Sequence, residues 1–352
     1  MNTNIHPFLK YRRLVCILAF SLLLSPLFPA NADAERYFLP GGMPFGVRFS
    51  LAGVPIESIT EVITAEGNRA PAADAGLQPG DLIQQINGKP VTTAAEICEA
   101  ITACEGKPLL LKVSRATDTE NEPIFCTLRP VPSLPDGVYR AGMWLRDSTA
   151  GIGTVTLIDA ETGLFAGLGH GVCRESDGTL LPLLQGSVYR VRVQGIQKGK
   201  AGLPGQLRGS LYGNAEGQVC RNTECGIIGR LTPTYLSELS RTAGEALPIA
   251  EEIGELREGE ATILCTLGEA GIARYPITVE KICGDRENKN LLLRVTDPAL
   301  LAETGGIVQG MSGSPILQDG KIVGAVTHVM VDDPTCGYGI FIGNMLREIP
   351  AA

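Results

Sequence analysis

The sequence predicts a mainly β chain of two modules, a small α+β module followed by a larger β-barrel module. Three observations carry this. Forty-three glycines and 23 prolines stand against only 5% aromatic residues, a composition of many turns between short strands. Strand-like runs at Leu82 to Ile86 and Leu109 to Val113 flank a single capped helical stretch. From Tyr139 onward, short apolar runs recur between Gly-containing turns, as in a barrel or sandwich, with no βαβ repeat. The 352 residues suffice for two domains, and the divisions read as a targeting segment at 1–34, a first module at 36–130, a linker at 131–138 and a second module at 139–352. The net charge of −8, with no basic block in the body, argues against nucleic-acid binding.

The N-terminus reads as a secretory leader. Lys10, Arg12 and Arg13 form a positive start, and Leu14 to Phe28 is apolar but broken by Ser21, Ser25 and Pro26. Ala30-Asn31-Ala32 and Ala32-Asp33-Ala34 both suit cleavage. An exported protein with a cleaved leader is expected, with an uncleaved membrane anchor as the alternative; either puts the body outside the cytoplasm. Ten cysteines include Cys16 in the leader, which leaves an odd number. Cys98 and Cys104 share one predicted helix at a spacing that precludes a bridge, whereas Cys220 and Cys225 flank a polar turn that allows one. No Cys/His spacing suggests zinc, and no cofactor or metal is expected.

In the first module, Pro79-Gly80 is a turn, Leu82 to Ile86 a strand and Asn87-Gly88 a hairpin turn. Thr93 and Glu96 form a capping box, because hydroxyl and carboxylate three residues apart satisfy free N–H groups at a helix start. Ala94, Ile97, Ile101 and Cys104 recur at helical spacing, and Gly106 ends the helix. The run Ala75-Gly76-Leu77-Gln78-Pro79-Gly80-Asp81-Leu82-Ile83, followed by Ile86-Asn87-Gly88, resembles a PDZ domain. The resemblance implies that a peptide strand adds to a sheet edge beside the helix. It places the carboxylate-capturing loop at Met43 to Val47, with Phe45, Gly46 and Val47 as peptide-binding residues; core packing is the other reading of Phe45 and Val47.

Pro130-Val131-Pro132-Ser133-Leu134-Pro135-Asp136-Gly137 is a Pro-rich connector. Beyond it, Met143-Trp144-Leu145, Ile152 to Ile158 and Leu164 to Gly167 read as short strands, with a hairpin turn at Asp159 to Gly163. A helical interruption is expected at Thr234 to Thr242 or Glu252 to Leu256.

The chemistry concentrates at Gly310-Met311-Ser312-Gly313-Ser314-Pro315 and Gly167-Leu168-Gly169-His170-Gly171. Glycines around a serine let backbone N–H groups converge on one point, where they hold an oxyanion. Serine is a poor nucleophile without a base, and of three histidines His6 is in the leader. His170 is the expected base and Ser312 the expected nucleophile, with the N–H groups of Gly310 and Ser312 as oxyanion hole. Ser314 competes with Ser312 from the same turn. His328 reads as a wall of the substrate pocket or as core. For the acid, Asp297 is the choice, although it lies closer to the serine than chymotrypsin-like enzymes place theirs; Asp177, Asp285, Asp332 and Asp333 stay open.

The Ser312 turn, with His170 142 residues before it, suits a chymotrypsin-like double β-barrel, and these pieces resemble the SpoIVB peptidase family, S55. The resemblance rests on Thr296-Asp297-Pro298, on Thr304 through Ile316, on Gly324 through Val329 and on Asp333-Pro334-Thr335 with Gly337-Tyr338-Gly339. It implies a serine endopeptidase with His170, Asp297 and Ser312 as its triad. It also implies action during sporulation, in the space between forespore and mother-cell membranes. There such enzymes cleave themselves and a membrane-associated regulatory protein of an intramembrane protease, which leads to sigma-factor processing. Cys173 and Cys336 lie close in sequence to this site, where oxidation would block or regulate it. A non-catalytic PDZ scaffold on a protease-like fold is the competing reading. A zinc peptidase lacks its HExxH motif here.

Overall fold

The computed structural model describes residues 36–350 except 52, 116–122, 146–148, 174–177, 182, 243 and 285–287. The expected leader and the alternative acids Asp177 and Asp285 lie outside the described residues. Tyr37–Ala352 forms one compact unit.

Its first strands do not open the PDZ module. β1 (Tyr37–Pro40) and β2 (Pro44–Leu51) belong to a large sheet whose other members lie far downstream. The PDZ module then runs from β3 (Val54–Ile59) through the hairpin β4 (Val62–Thr64) and β5 (Gly67–Arg69) and the short α1 (Pro71–Asp74). β6 (Leu82–Ile86), β7 (Lys89–Pro90), α2 (Ala94–Ala103), β8 (Leu109–Ser114) and β9 (Ile124–Leu128) follow. Local signals act as read. Asn87 and Gly88 have φ of 50° and 78°, the double left-handed turn that Asn-Gly favours. Thr93 and Glu96 close a capping box, and Ile97 and Ile101 bury the inner face of α2. Asp81, 1% exposed, accepts from Gln78 N–H and pairs with Arg115, so its buried charge is compensated.

After the module, β10 (Val131–Pro132) pairs with β11 (Tyr139–Arg140), and β12 (Met143–Leu145) joins the edge of β3. The sheet order is β12-β3-β6-β8-β9. The expected linker is thus a hairpin packed on the PDZ module: Leu134 N–H donates to Ile63 O, and Ser133 is buried.

The peptidase module resumes with β13 (Thr149–Ile158), β14 (Leu164–Gly167), β15 (Leu183–Gln197), β16 (Gln206–Thr223) and β17 (Gly226–Leu231). β13 pairs with β2 on one side and β14 on the other, and β14, β17, β16 and β15 lead back to β2. These six strands close a ring. β1 pairs with β13 and with β18 (Leu247–Pro248), and α3 (Pro233–Thr242) lies between β17 and β18. Both helical candidates form, the second as a single turn at Ile253–Glu255.

Strand β2 overturns one expectation. Phe45 and Val47 are 3% and 2% exposed in the core of this first barrel, and Gly46 pairs with Ile152 and Tyr189. A strand with neighbours on both edges has spent its backbone N–H groups on the ladder and offers no nest for a carboxylate. Phe45, Gly46 and Val47 are therefore barrel residues, not a PDZ loop, and the core reading of Phe45 and Val47 holds. The physical cause is insertion. The PDZ module enters after β2 and leaves before β13, strands that pair directly with Phe49 opposite Thr149.

The second barrel is closed by β19 (Gly259–Thr266), β20 (Ile272–Ile282), β21 (Leu291–Val295), β22 (Pro315–Gln318), β23 (Lys321–Val329) and β24 (Cys336–Phe341). α4 (Pro298–Thr304) precedes the serine turn, and α5 (Ile342–Arg347) covers one end. The fold is a double β-barrel with an inserted α+β module. Cys98, Cys104 and Cys220 carry free thiols, so Cys98 and Cys104 are unbridged as expected and the Cys220–Cys225 bridge is not formed.

Candidate active site

The cleft is assembled around one buried residue, Thr154 of β13. Its N–H donates to Ser312 O at 2.8 Å, its Oγ1 donates to Gly310 O at 2.8 Å, and its carbonyl accepts from Leu168 N–H at 3.2 Å. Thr154 therefore ties the serine turn to the loop that carries His170. Two positions along, Thr156 Oγ1 donates to Gly313 O at 2.7 Å. Both threonines are buried, at 2% and 0% exposure, so these bonds lie in a low-dielectric setting where their loss is costly.

The turn itself needs its glycines. Gly310 and Gly313 have φ of +99° and +95°, and a Cβ on Gly313 would overlap Thr154 O and Leu168 N. Within the turn, Met311 N–H donates to Val308 O, Gly313 N–H to Val326 O and Ser314 N–H to Met311 O. The N–H groups of Gly310 and Ser312 donate to no acceptor among the described residues. They are the pair expected to form the oxyanion hole. Ser314 is fully buried and its hydroxyl has no partner among the described residues, whereas Ser312 is half-buried.

His170, Ser312 and His328 come together. Ser312 Oγ donates to Thr327 O at 2.7 Å, and the rings of Thr327's neighbour His328 and of His170 lie 4.8 Å apart. Gly169, at φ +69°, passes against Thr327 Cγ2. His170 Nδ1 lies 2.9 Å from Gly171 O. Since a carbonyl only accepts, that contact makes Nδ1 the protonated nitrogen and leaves the Nε2 lone pair free. Burial holds the His170 pKa below the ordinary histidine value, and the Gly171 bond opposes this only in part. Burial first, then His170 and Lys289, push His328 down to about 4. His328 Nδ1 is buried without a partner among the described residues.

Asp297 makes a different bond. It is the N-cap of α4, and its Oδ1 accepts from Leu300 N–H at 2.7 Å. No carboxylate bonds to His170 among the described residues. Asp333 accepts from Thr335 and pairs with Arg294, and it also accepts from Cys336 Sγ at 3.4 Å. Sequence reasoning missed Thr154, Thr156, Gly171 and Thr327. The only trace of the first two is the alternation Thr154-Val155-Thr156 on a strand, which marks one face without saying what that face meets.

The β15–β16 hairpin reaches the serine-turn segment through backbone bonds. Gly199 N–H donates to Thr304 O, Gly202 N–H to Val331 O and Leu207 N–H to Gln309 O, while Gly205 O accepts from Gln309 N–H. The hairpin end is thereby sewn to the segment leading into the serine turn.

A double β-barrel with a serine turn, a histidine loop and two idle N–H groups in one cleft, carrying a PDZ insertion, defines a serine peptidase of the chymotrypsin-like architecture. The chain belongs to the SpoIVB peptidase S55 family, whose model matches residues 137–346. A PDZ domain model matches residues 52–115. A Lactococcus lactis subsp. lactis (strain IL1403) protein named as a zinc metalloprotease is 32% identical over 161 residues, which is 44% of this chain and 35% of that protein. The chain thus spans about a third of that relative's length. The solved PDZ domain of an SdrC-like protein from Listeria monocytogenes shares 21% identity, covering 27% of this chain and 90% of that one, at a TM-score of 0.22. An inactive serine-to-alanine mutant of Rv3671c from M. tuberculosis H37Rv shares 14% identity, covering 57% and 85%, at a TM-score of 0.30.

Proposed function

We propose that this serine peptidase is exported and acts in the space between forespore and mother-cell membranes, where it cleaves itself and a membrane-associated regulatory protein of an intramembrane protease during sporulation. The S55 family match, the leader-like N-terminus and the PDZ module support this reading.

In this reading Ser312 is the nucleophile and His170 the base. The observation that carries it is the pair of unengaged N–H groups at Gly310 and Ser312, one on each side of Met311. His170 Nε2 takes the Ser312 proton as Oγ attacks the scissile carbonyl. The two N–H groups receive the oxyanion, and His170 returns the proton to the leaving amine. Water then releases the acyl group by the same route. The Ser312 hydroxyl first turns from Thr327 O toward His170, so the state described is a resting one. Gly171 O supplies the tautomer control that a carboxylate supplies in a triad. Asp297 enters as a positioning residue that caps α4, the helix leading through Thr304 and Gly305 into the serine turn. His328 forms the cleft wall beside His170.

The test is self-cleavage of purified 35–352, wild type beside Ser312→Ala. N-terminal fragments from the wild type alone are expected. Equal cleavage in both would remove Ser312 from the role.

A further inference from the structure

We infer that β12 is an exchangeable strand: Met143–Leu145 occupies in cis the PDZ sheet edge at which an extended peptide of a protein partner adds, and its departure is passed along β13 to the serine turn. The inference rests on the peptidase reading above and adds its regulation.

The first observation is the register. Met143 lies opposite Ile59, Trp144 opposite Ser58 and Leu145 opposite Ile56, antiparallel, on the outer edge of β3. The approach is equally strand-like. Ala72 N–H donates to Ala141 O, and Thr60 N–H donates to Gly142 O, both at 2.9 Å. Side chains alternate as they do in an added strand. Ala141, Met143 and Leu145 pack on the PDZ core, while Trp144 points outward at 64% exposure. An unpaired sheet edge is a template for strand addition, and this chain fills its own.

The second observation is what remains beside that strand. A cavity of about 610 Å³ lies between the 138–145 segment and α2, lined on the helix side by Ala94, Cys98, Ile101 and Thr102. Ala141, the small residue that the cis strand turns toward the core, leaves this groove unfilled, whereas Gly142 is a glycine because a Cβ there would meet Thr60 O. A partner peptide that carries a larger apolar residue in place of Ala141 would fill the groove that the cis strand leaves. The chemistry selected is an extended peptide with alternating apolar residues, the larger one facing α2.

The third observation is the route to the cleft. β12 ends at Leu145 and β13 begins at Thr149, and β13 carries Thr154 and Thr156, which hold Gly310, Ser312 and Gly313 by their carbonyls. β2, directly paired with β13, leads into β3. The strand that a peptide would displace is therefore four positions in sequence from the strand that shapes the serine turn. A cis strand enjoys a high effective concentration, so occupancy by β12 sets a threshold that a partner must exceed.

The test compares rates of fluorophosphonate labelling of Ser312 in the full chain. Ser58→Cys with Trp144→Cys joins residues that face each other across the pair, within disulfide reach. Met143→Asp puts a charge on the side facing the PDZ core and releases β12. The expected result is labelling roughly tenfold slower in the oxidised double variant than in the same sample after reduction, and faster than wild type in Met143→Asp, within the usual span of allosteric couplings. Wild type under both redox conditions controls for the native thiols, and intact mass verifies the bridge. If Met143→Asp does not fold, the redox comparison within one folded variant decides alone. Equal rates throughout, with the bridge formed, overturn the inference and leave the peptidase reading standing. Absence of label in every sample sinks that reading and the inference with it.

Discussion

At the residue scale the account turns on which groups are free to react. Ser314 is fully buried, so Ser314→Ala is expected to keep phosphonate labelling within a few-fold, whereas Ser312→Ala abolishes it. Asp297 offers a sharper separation. Asn caps a helix as well as Asp does, so Asp297→Asn is expected to retain labelling and melting temperature, while Asp297→Ala loses about 1 kcal/mol of stability. A loss of about ten-thousandfold in the Asn variant at unchanged stability would make Asp297 the triad acid instead. The histidines give a pH prediction. His170 must be neutral to act, and its pKa lies below the ordinary ~6.5, so activity should hold into mildly acidic pH before it falls. For stability the sign follows from depressed folded values. The unfolded chain takes protons first, so stability present above ~6.5 is lost as pH falls toward the folded value, about 4 for His328. Melting curves between these limits should drop in wild type and flatten in His328→Gln.

At the scale of elements, β13 is the part that holds the chemistry together. Thr154→Val keeps the shape but leaves the buried Gly310 carbonyl without its hydroxyl donor, at a cost of about 1–3 kcal/mol, with slower labelling as the turn loosens. Gly313→Ala is harsher. It forces a Cβ into Thr154 O at φ +95°, and more than ~2 kcal/mol of destabilisation with loss of labelling is expected by denaturant melt and phosphonate assay. These elements were partly legible in the sequence. Asn87-Gly88, the Thr93/Glu96 box and the Asp159 to Gly163 turn act through neighbours in the chain, so spacing alone reveals them. Thr154 acts across more than a hundred and fifty positions, on Gly310, and no local pattern carries that information. His170 and Ser312 were legible because glycines mark them. The partner of His170, the Gly171 carbonyl, was not, because a backbone group has no letter of its own.

At the scale of the molecule, the PDZ module interrupts the first barrel rather than preceding it. The PDZ resemblance assigns residues 36–51 to the start of that module, with its loop at Met43 to Val47. Alternating Phe45, Val47 and Phe49 say that a strand has a buried face, but not which sheet buries it. The consequence is testable. A chain starting at 137 lacks β2, the neighbour of both β13 and β15, and leaves the ring open. Such a chain is expected to be insoluble or to melt without cooperativity, whereas 37–352 melts cooperatively. A soluble, cooperatively folding 137–352 would show that β2 is dispensable.

The measurement that tests the central claim most directly is fluorophosphonate labelling of the folded chain followed by peptide mapping. The account predicts one covalent adduct, on Ser312, lost in His170→Ala. A folded chain that takes no label, or takes it on Ser314 or elsewhere, would contradict it.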